Sequence, residues 1–262
     1  MMTYQTQEKL TEMKLYAMNA EYKRQAELPT MDDLDFDSRL GMLVDAQWLS
    51  RRDARFQRLV HTANLREPSA NLADIDYTSS RNLKKSQITQ LSDCRWIKGQ
   101  HNLIITGACG TGKTYILSAI GREACLRNFK VKCYRMNRLI TDLAIGRGDG
   151  SYNKLIDELK KPDLLILDDF AMQVLEPSAS RDLLEVIEER HGRKSTAISA
   201  QLPVKLWAEI FEDQTSGDAI LDRLIPNAYR IALEGPSRRA TPTELLKHES
   251  AFAESNDNKI NI

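Results

Sequence analysis

The 262-residue sequence has no excess of either charge: 37 Lys and Arg stand against 37 Asp and Glu. Net charge therefore points to neither nucleic acid nor membrane, and any basic surface must be local. No apolar run approaches the roughly 18 residues that a membrane span needs, so no membrane partner is expected. The N-terminal MMTYQTQEKL lacks a basic stretch followed by an apolar core, and a secretory signal is not expected there. The four cysteines, Cys94, Cys109, Cys125 and Cys133, have no C-x-x-C spacing. Reduced thiols in a cytoplasm are the expectation. Cys125 and Cys133 read as small core residues rather than metal ligands. No internal repeat is visible.

What is present is an ordinary globular composition, 42% hydrophobic and 28% charged, long enough for one large domain or a main domain with a smaller one. The chain changes character near residue 98. Before it lie helical patterns: residues 5–27, with Leu10, Met13, Tyr16, Ala17 and Ala20 roughly on one face, and a second helix from about 38 to 66, stopping before Pro68. At 100° per residue, Leu49, Phe56, Val60 and Ala63 share one arc, with Arg51, Arg55 and Arg58 opposite. From Arg39 to Arg66 there are six arginines, no lysine and two acids, Asp45 and Asp53. This stripe reads either as a solvated helix face or as a contact for nucleic-acid phosphates. PSANLADIDYTSSRNLKKS is polar and reads as a linker.

Beyond residue 98, strands are expected at 102–106, 131–134, 164–167, 196–199 and 228–232. Helices are expected near 113–127, 137–145, 151–160, 178–191 and 217–225. Such alternation predicts an α/β fold, a parallel sheet covered on both faces. The residues from 240 onward are weakly patterned and read as a mobile tail.

The first chemical signal is GACGTGKT, Gly107 to Thr114. It fits G-x-x-x-x-G-K-[ST], in which backbone N–H groups surround phosphate oxygens at a helix N-terminus. Gly107, Ala108, Cys109, Gly110, Thr111, Gly112, Lys113, Thr114 and Tyr115 are the candidate nucleotide contacts. Lys113 would reach the β- and γ-phosphates, and the Thr114 hydroxyl would hold Mg²⁺. The second signal is LLILDDF, Leu164 to Phe170. Asp168, ending a buried strand, suits Mg²⁺ positioning, and Asp169 suits orientation of an attacking water. A GTPase is disfavoured: the nearest match to N-K-x-D, NKLID from Asn153, has its Asp one place late. A metabolite kinase is disfavoured because no lid arginines or acceptor pocket can be placed.

With these motifs in view, residues 10 to 239 resemble IstB-type proteins, the ATPase partners of transposases in insertion sequences. That family is similar to the helicase loader DnaC and belongs to the AAA+ ATPases. The resemblance rests on FDSRLGMLVDAQWLSRRDARFQRLVHTANLRE and IDY, then on GACGTGKT, LLILDDF, SRDLLEVIEERHGRKST, ISAQLPVKLW, GDAILDRLIPNAYRIAL and GPSRR. It implies an AAA+ core preceded by a small all-α domain, with the C-terminal lid reduced or absent. The corresponding expectations are a helical DNA- or partner-binding domain at 1–68, a linker at 69–98, an ATPase domain at 99–239 and a tail at 240–262.

The resemblance also implies roles. Ser199 and Gln201 lie where such proteins sense the γ-phosphate. Arg223 matches an arginine that reaches into a neighbouring subunit's site, and Arg239, with Arg238 as the alternative, matches a second sensing arginine. Three positions depart from the family pattern: Ser199-Ala200-Gln201 stands for Thr-Ser-Gln, Ala171 for a glycine, and Asp169 for the Glu of most AAA+ enzymes. The implied cofactors are ATP and Mg²⁺. The implied partners are duplex DNA, gripped by its phosphate backbone through Arg51, Arg52, Arg55 and Arg58, a transposase, and further copies of the chain. A helicase loader and a nucleotide-gated DNA-binding module with negligible turnover stand as alternatives.

Overall fold

The computed structural model describes residues 2–31 and 33–238. Arg239, the expected tail from Ala240 and the question of a lid after the core lie outside the described residues. Two compact units are formed, one ending at Thr62 and one beginning at Ala63. Among the described residues no helix is long and apolar enough to cross a membrane.

The first unit is helical: α1 (Met2–Glu12), α2 (Tyr16–Glu27) and α3 (Phe36–Ala63). The single helix expected over 5–27 is two. Lys14 takes a left-handed φ of 57°, and the Leu15 and Lys14 N–H groups donate back to Leu10 O and Thr11 O at 2.8 and 2.9 Å. This pairing closes a helix in the manner of a Schellman cap. The Asn19 side chain holds the turn from the far side, donating to Thr11 Oγ1 at 3.0 Å. Because the axis turns here, Met13 and Tyr16 are exposed rather than sharing a face with Leu10.

Inside α3, Gln47 is buried and its Oε1 accepts from the Met18 N–H at 3.2 Å, an N–H in the first turn of α2 that has no partner within its own helix. Leu49, two residues on and about 200° round the helix, is therefore exposed. It leaves the expected stripe, whose remaining members Phe56 and Val60 are half-buried and Ala63 buried.

The second unit carries five parallel strands: β1 (Asn102–Gly107), β2 (Val131–Arg135), β3 (Leu164–Phe170), β4 (Ser195–Ala200) and β5 (Ala228–Leu233). Their order is β2-β3-β4-β1-β5. β4 is apolar or small throughout, β3 is apolar up to its two aspartates, and both are almost wholly buried, as central parallel strands must be. Helix α6 (Lys113–Leu126) packs on the sheet so closely that a Cβ on Gly121 would stand 2.9 Å from Ile166. Helices α7 (Met136–Asp149), α8 (Tyr152–Lys160), α9 (Pro177–Arg190) and α10 (Gln214–Leu224) build a core with Ile104, Leu165, Leu167 and Ile198, centred on Trp207 and Phe170 with rings 4.7 Å apart.

The stretch expected as a linker differs from a free connection. It contains α4 (Lys85–Ser92) and α5 (Arg95–Lys98) and buries Ala70, Ile75, Leu83, Ile88, Leu91 and Trp96. These apolar residues are spaced among polar ones, so composition alone hides them.

Arg190, at the end of α9, is 1% exposed. It donates to Leu159 O, Pro162 O, Ser195 O and Thr196 Oγ1, tying α8, the following turn and β4 together. Burial pulls its pKa down to about 10, which leaves it charged at neutral pH. Arg190→Ala strands several buried acceptors at once, and urea denaturation is expected to show a loss of about 3 kcal/mol or more. A loss below about 1 kcal/mol would mean that the carbonyls find other partners.

Candidate functional site

The phosphate-loop residues Gly107 to Tyr115 and the aspartates Asp168 and Asp169 come together at the C-terminal ends of β1 and β3, where open α/β sheets bind ligands. β1 runs out at Gly107, the loop turns through 108–112, and α6 begins at Lys113. The turn needs its glycines. Gly110 has φ +81°, and a Cβ there would stand 2.1 Å from Ser237 Oγ. Lys113 is buried and folds back over the loop, its Nζ donating to Gly107 O and Ala108 O, both at 2.8 Å. The first N–H groups of α6 thus face the cavity together with an ammonium group, an arrangement suited to phosphate.

Beside the loop, the Thr114 hydroxyl meets Asp168, with oxygens 3.0 and 3.2 Å away. Asp168 is 1% exposed. Its second hydroxyl partner is Ser199, whose Oγ donates to Asp168 Oδ1 and accepts from the Asp169 N–H at 3.1 Å. Ser199 is fully buried and stands behind the carboxylate, whereas Gln201 lines the cavity.

The pairing of β3 with β4 slips between Leu167↔Ile198 and Phe170↔Ala200, one extra residue on β3. Asp169 sits in that bulge with φ 59°, and Ala171 follows with φ 60°. A bulge re-aims side chains at sheet ends. Asp169 is turned to the cavity wall, where Arg135 Nε lies 3.0 Å from its Oδ2.

The cavity encloses about 540 Å³, within the range of small-ligand pockets. Cys109, Gly110, Gly112, Lys113, Thr114 and Tyr115 line one side. Three lining arginines were not predicted from the residues themselves: Arg81, Arg135 and Arg238. Arg238 was the lesser alternative to Arg239; its N–H donates to Gly110 O at 2.9 Å, and its guanidinium pairs with Asp76. The Thr78 N–H, followed by Arg238, holds the Asp76 carboxyl below its usual range. No motif marks Arg81 or Arg135 in the sequence.

Arg223 lies elsewhere. The side chain of Asn102, at the opposite end of β1 from the loop, donates to Arg223 O and Leu224 O. Asn102 and Gly107 are five strand steps apart, roughly 16 Å. The Arg223 guanidinium instead pairs with Glu188 at 2.7 Å and caps Ala219 O. In the other unit, Arg51, Arg52, Arg55 and Arg58 are all exposed on α3, with Arg52 stacked 4.9 Å over the Trp48 ring.

A family profile described as IstB-like ATP binding protein matches residues 8–245. A Sinorhizobium fredii protein named as an insertion sequence ATP-binding protein is 38% identical over 239 residues, 91% of this chain and 97% of its own length. A Pseudomonas fluorescens protein named likewise is 40% identical over 203 residues, 78% of this chain and 88% of its own. The crystal structure of the DnaC helicase loader superposes with a TM-score of 0.56 at 18% identity, over 63% of this chain and 97% of that one, a likeness of fold.

All four cysteines are free, and only Cys109 is exposed. Burial pushes the thiols of Cys94, Cys125 and Cys133 up to about 12, so they carry almost no thiolate near pH 8. Treatment of the native protein with a maleimide at pH 7.5 is expected to modify Cys109 alone by mass spectrometry. Equal labelling of any other cysteine would contradict the packing described.

Proposed function

Because the chain belongs to the IstB-like ATP binding protein family, we propose that it is an ATP-dependent DNA-binding AAA+ ATPase of the cytoplasm that assembles on duplex DNA and helps a partner transposase select and use target DNA. The observation that carries the nucleotide part is the meeting of Thr114 and Asp168 beside the phosphate loop. These are oxygen donors of the kind that Mg²⁺ takes, and Thr114 and Asp168 are the residues that would hold it. When bound, Mg²⁺ would offset charge on the β- and γ-phosphates.

The chain's own groups supply the rest. Loop N–H groups and Lys113 bind phosphate. Asp169, on the cavity wall, orients the attacking water. Ser199 keeps Asp168 and the Asp169 backbone in fixed relation. Arg223 is too far from its own loop to act there, which supports a role in the site of an adjacent copy, where its charge would stabilise the transition state. Hydrolysis then depends on assembly. The exposed arginine face of α3 supports a grip on DNA phosphates, with little dependence on base sequence.

Two outcomes follow. Binding to a random-sequence duplex should require ATP and Mg²⁺, vanish in Lys113→Ala, and weaken with salt at a log–log slope near −0.9 per phosphate contact. A duplex ignored in every nucleotide state would return α3 to a surface or protein contact and move a helicase partner to first place. Arg223→Ala should bind ATP normally yet lose DNA-stimulated phosphate release by about 10³-fold or more. Wild-type turnover in that variant would sink the shared site.

A further inference from the structure

The loop that cradles phosphate is braced from outside the motif, and the brace is a buried arginine. Arg81 ends a short turn (Ser79–Arg81) and is 5% exposed. Its guanidinium donates to Asp76 O and, at 2.7 Å, to Thr111 O within the loop. Its own backbone is anchored too. Arg81 O accepts from the Glu234 N–H at 3.1 Å, and the neighbouring Asn82 side chain donates to Ala232 O at 3.3 Å. The guanidinium is therefore carried on a segment fixed to β5, the strand that pairs with β1.

A peptide unit is planar and trans, so its C=O and N–H point in opposite directions. With Thr111 O fixed on Arg81, the Gly112 N–H must face away from that guanidinium. Gly112 lines the cavity. A Cβ on Gly112 would lie 2.9 Å from an Arg81 nitrogen, so the two are in close contact and the peptide has little room to rotate. The preceding carbonyl, Gly110 O, is held in the same way by the Arg238 N–H.

We propose that Arg81 is a positioning residue for nucleotide binding: it locks the 111–112 peptide so that the loop presents its N–H donor to the phosphate chain. This rests on the reading of the cavity as an ATP site. A charge-assisted hydrogen bond to a carbonyl restrains the peptide more firmly than a neutral one. Arg81 contributes preorganisation, since the loop need not be ordered when phosphate arrives. Because Arg81 acts through the Thr111 carbonyl of the loop, the effect is expected on ligands that carry phosphate rather than on adenosine.

The test uses the full chain with Arg81→Met and Arg81→Lys. ADP and ATP binding would be measured by calorimetry, adenosine binding by NMR line broadening, and folding by circular dichroism. Arg81→Met should bind ADP and ATP on the order of tenfold more weakly, with adenosine binding unchanged. Arg81→Lys, keeping charge but losing the forked geometry, should recover part of the loss. Wild-type affinity for ADP and ATP in a folded Arg81→Met protein overturns the proposal. So does equal loss of adenosine binding, which would make the residue a general support of the cavity. Should Arg81→Met fail to fold, Arg81→Lys decides: several-fold weaker ADP binding with adenosine retained supports the role, and unchanged ADP binding overturns it. Wild-type protein that binds none of the three ligands would instead refute the ATP reading itself.

Discussion

Everything at the C-terminal edge of the sheet is arranged around one buried carboxylate, Asp168. A carboxylate removed from water is costly unless its oxygens find donors. Here the donors are two hydroxyls from different elements, Thr114 at the start of α6 and Ser199 on β4. Satisfying Asp168 therefore fixes the spacing between the phosphate loop, β3 and β4. The loop has little freedom to drift from the sheet without leaving this group unpaired.

The extra residue on β3 follows the same logic. Asp168 must stay inside, while the next carboxylate must reach the cavity wall. Ordinary alternation along a strand would turn Asp169 to the opposite face of the sheet. The bulge provides another exit, at the expense of two non-glycine residues with positive φ, Asp169 and Ala171. Glycine is what the resemblance leads one to expect at the second of these, and the backbone explains that preference: a left-handed alanine costs roughly 1 kcal/mol. The Ala171 methyl is buried in the core, which offsets part of that strain.

The sheet was legible because its strands are short apolar runs between helices of ordinary length; all five strands lie where the pattern put them, each extended by one to three residues. The phosphate loop and the two aspartates were legible because they are contiguous motifs. What escaped is what sequence separation conceals. Arg81 lies in a polar stretch some thirty residues before the loop it touches, and Arg135 ends a strand, β2, whose pairing with β3 brings it beside the acidic pair. Periodicity also failed at Lys14, where a residue with no turn signature adopts the left-handed cap, and at Leu49, where a single buried glutamine, Gln47, set the inward face of the helix. In each case a specific polar contact overrode a statistical pattern.

The central claim is that Thr114 and Asp168 form the metal-facing side of an ATP site. It is tested most directly by calorimetric titration of ATP, with and without Mg²⁺, into wild type and Asp168→Asn. The account predicts that Mg²⁺ tightens ATP binding in the wild type, and that Asp168→Asn loses this increment while keeping its metal-free affinity. An Asp168→Asn protein that retains the full Mg²⁺ increment would contradict it.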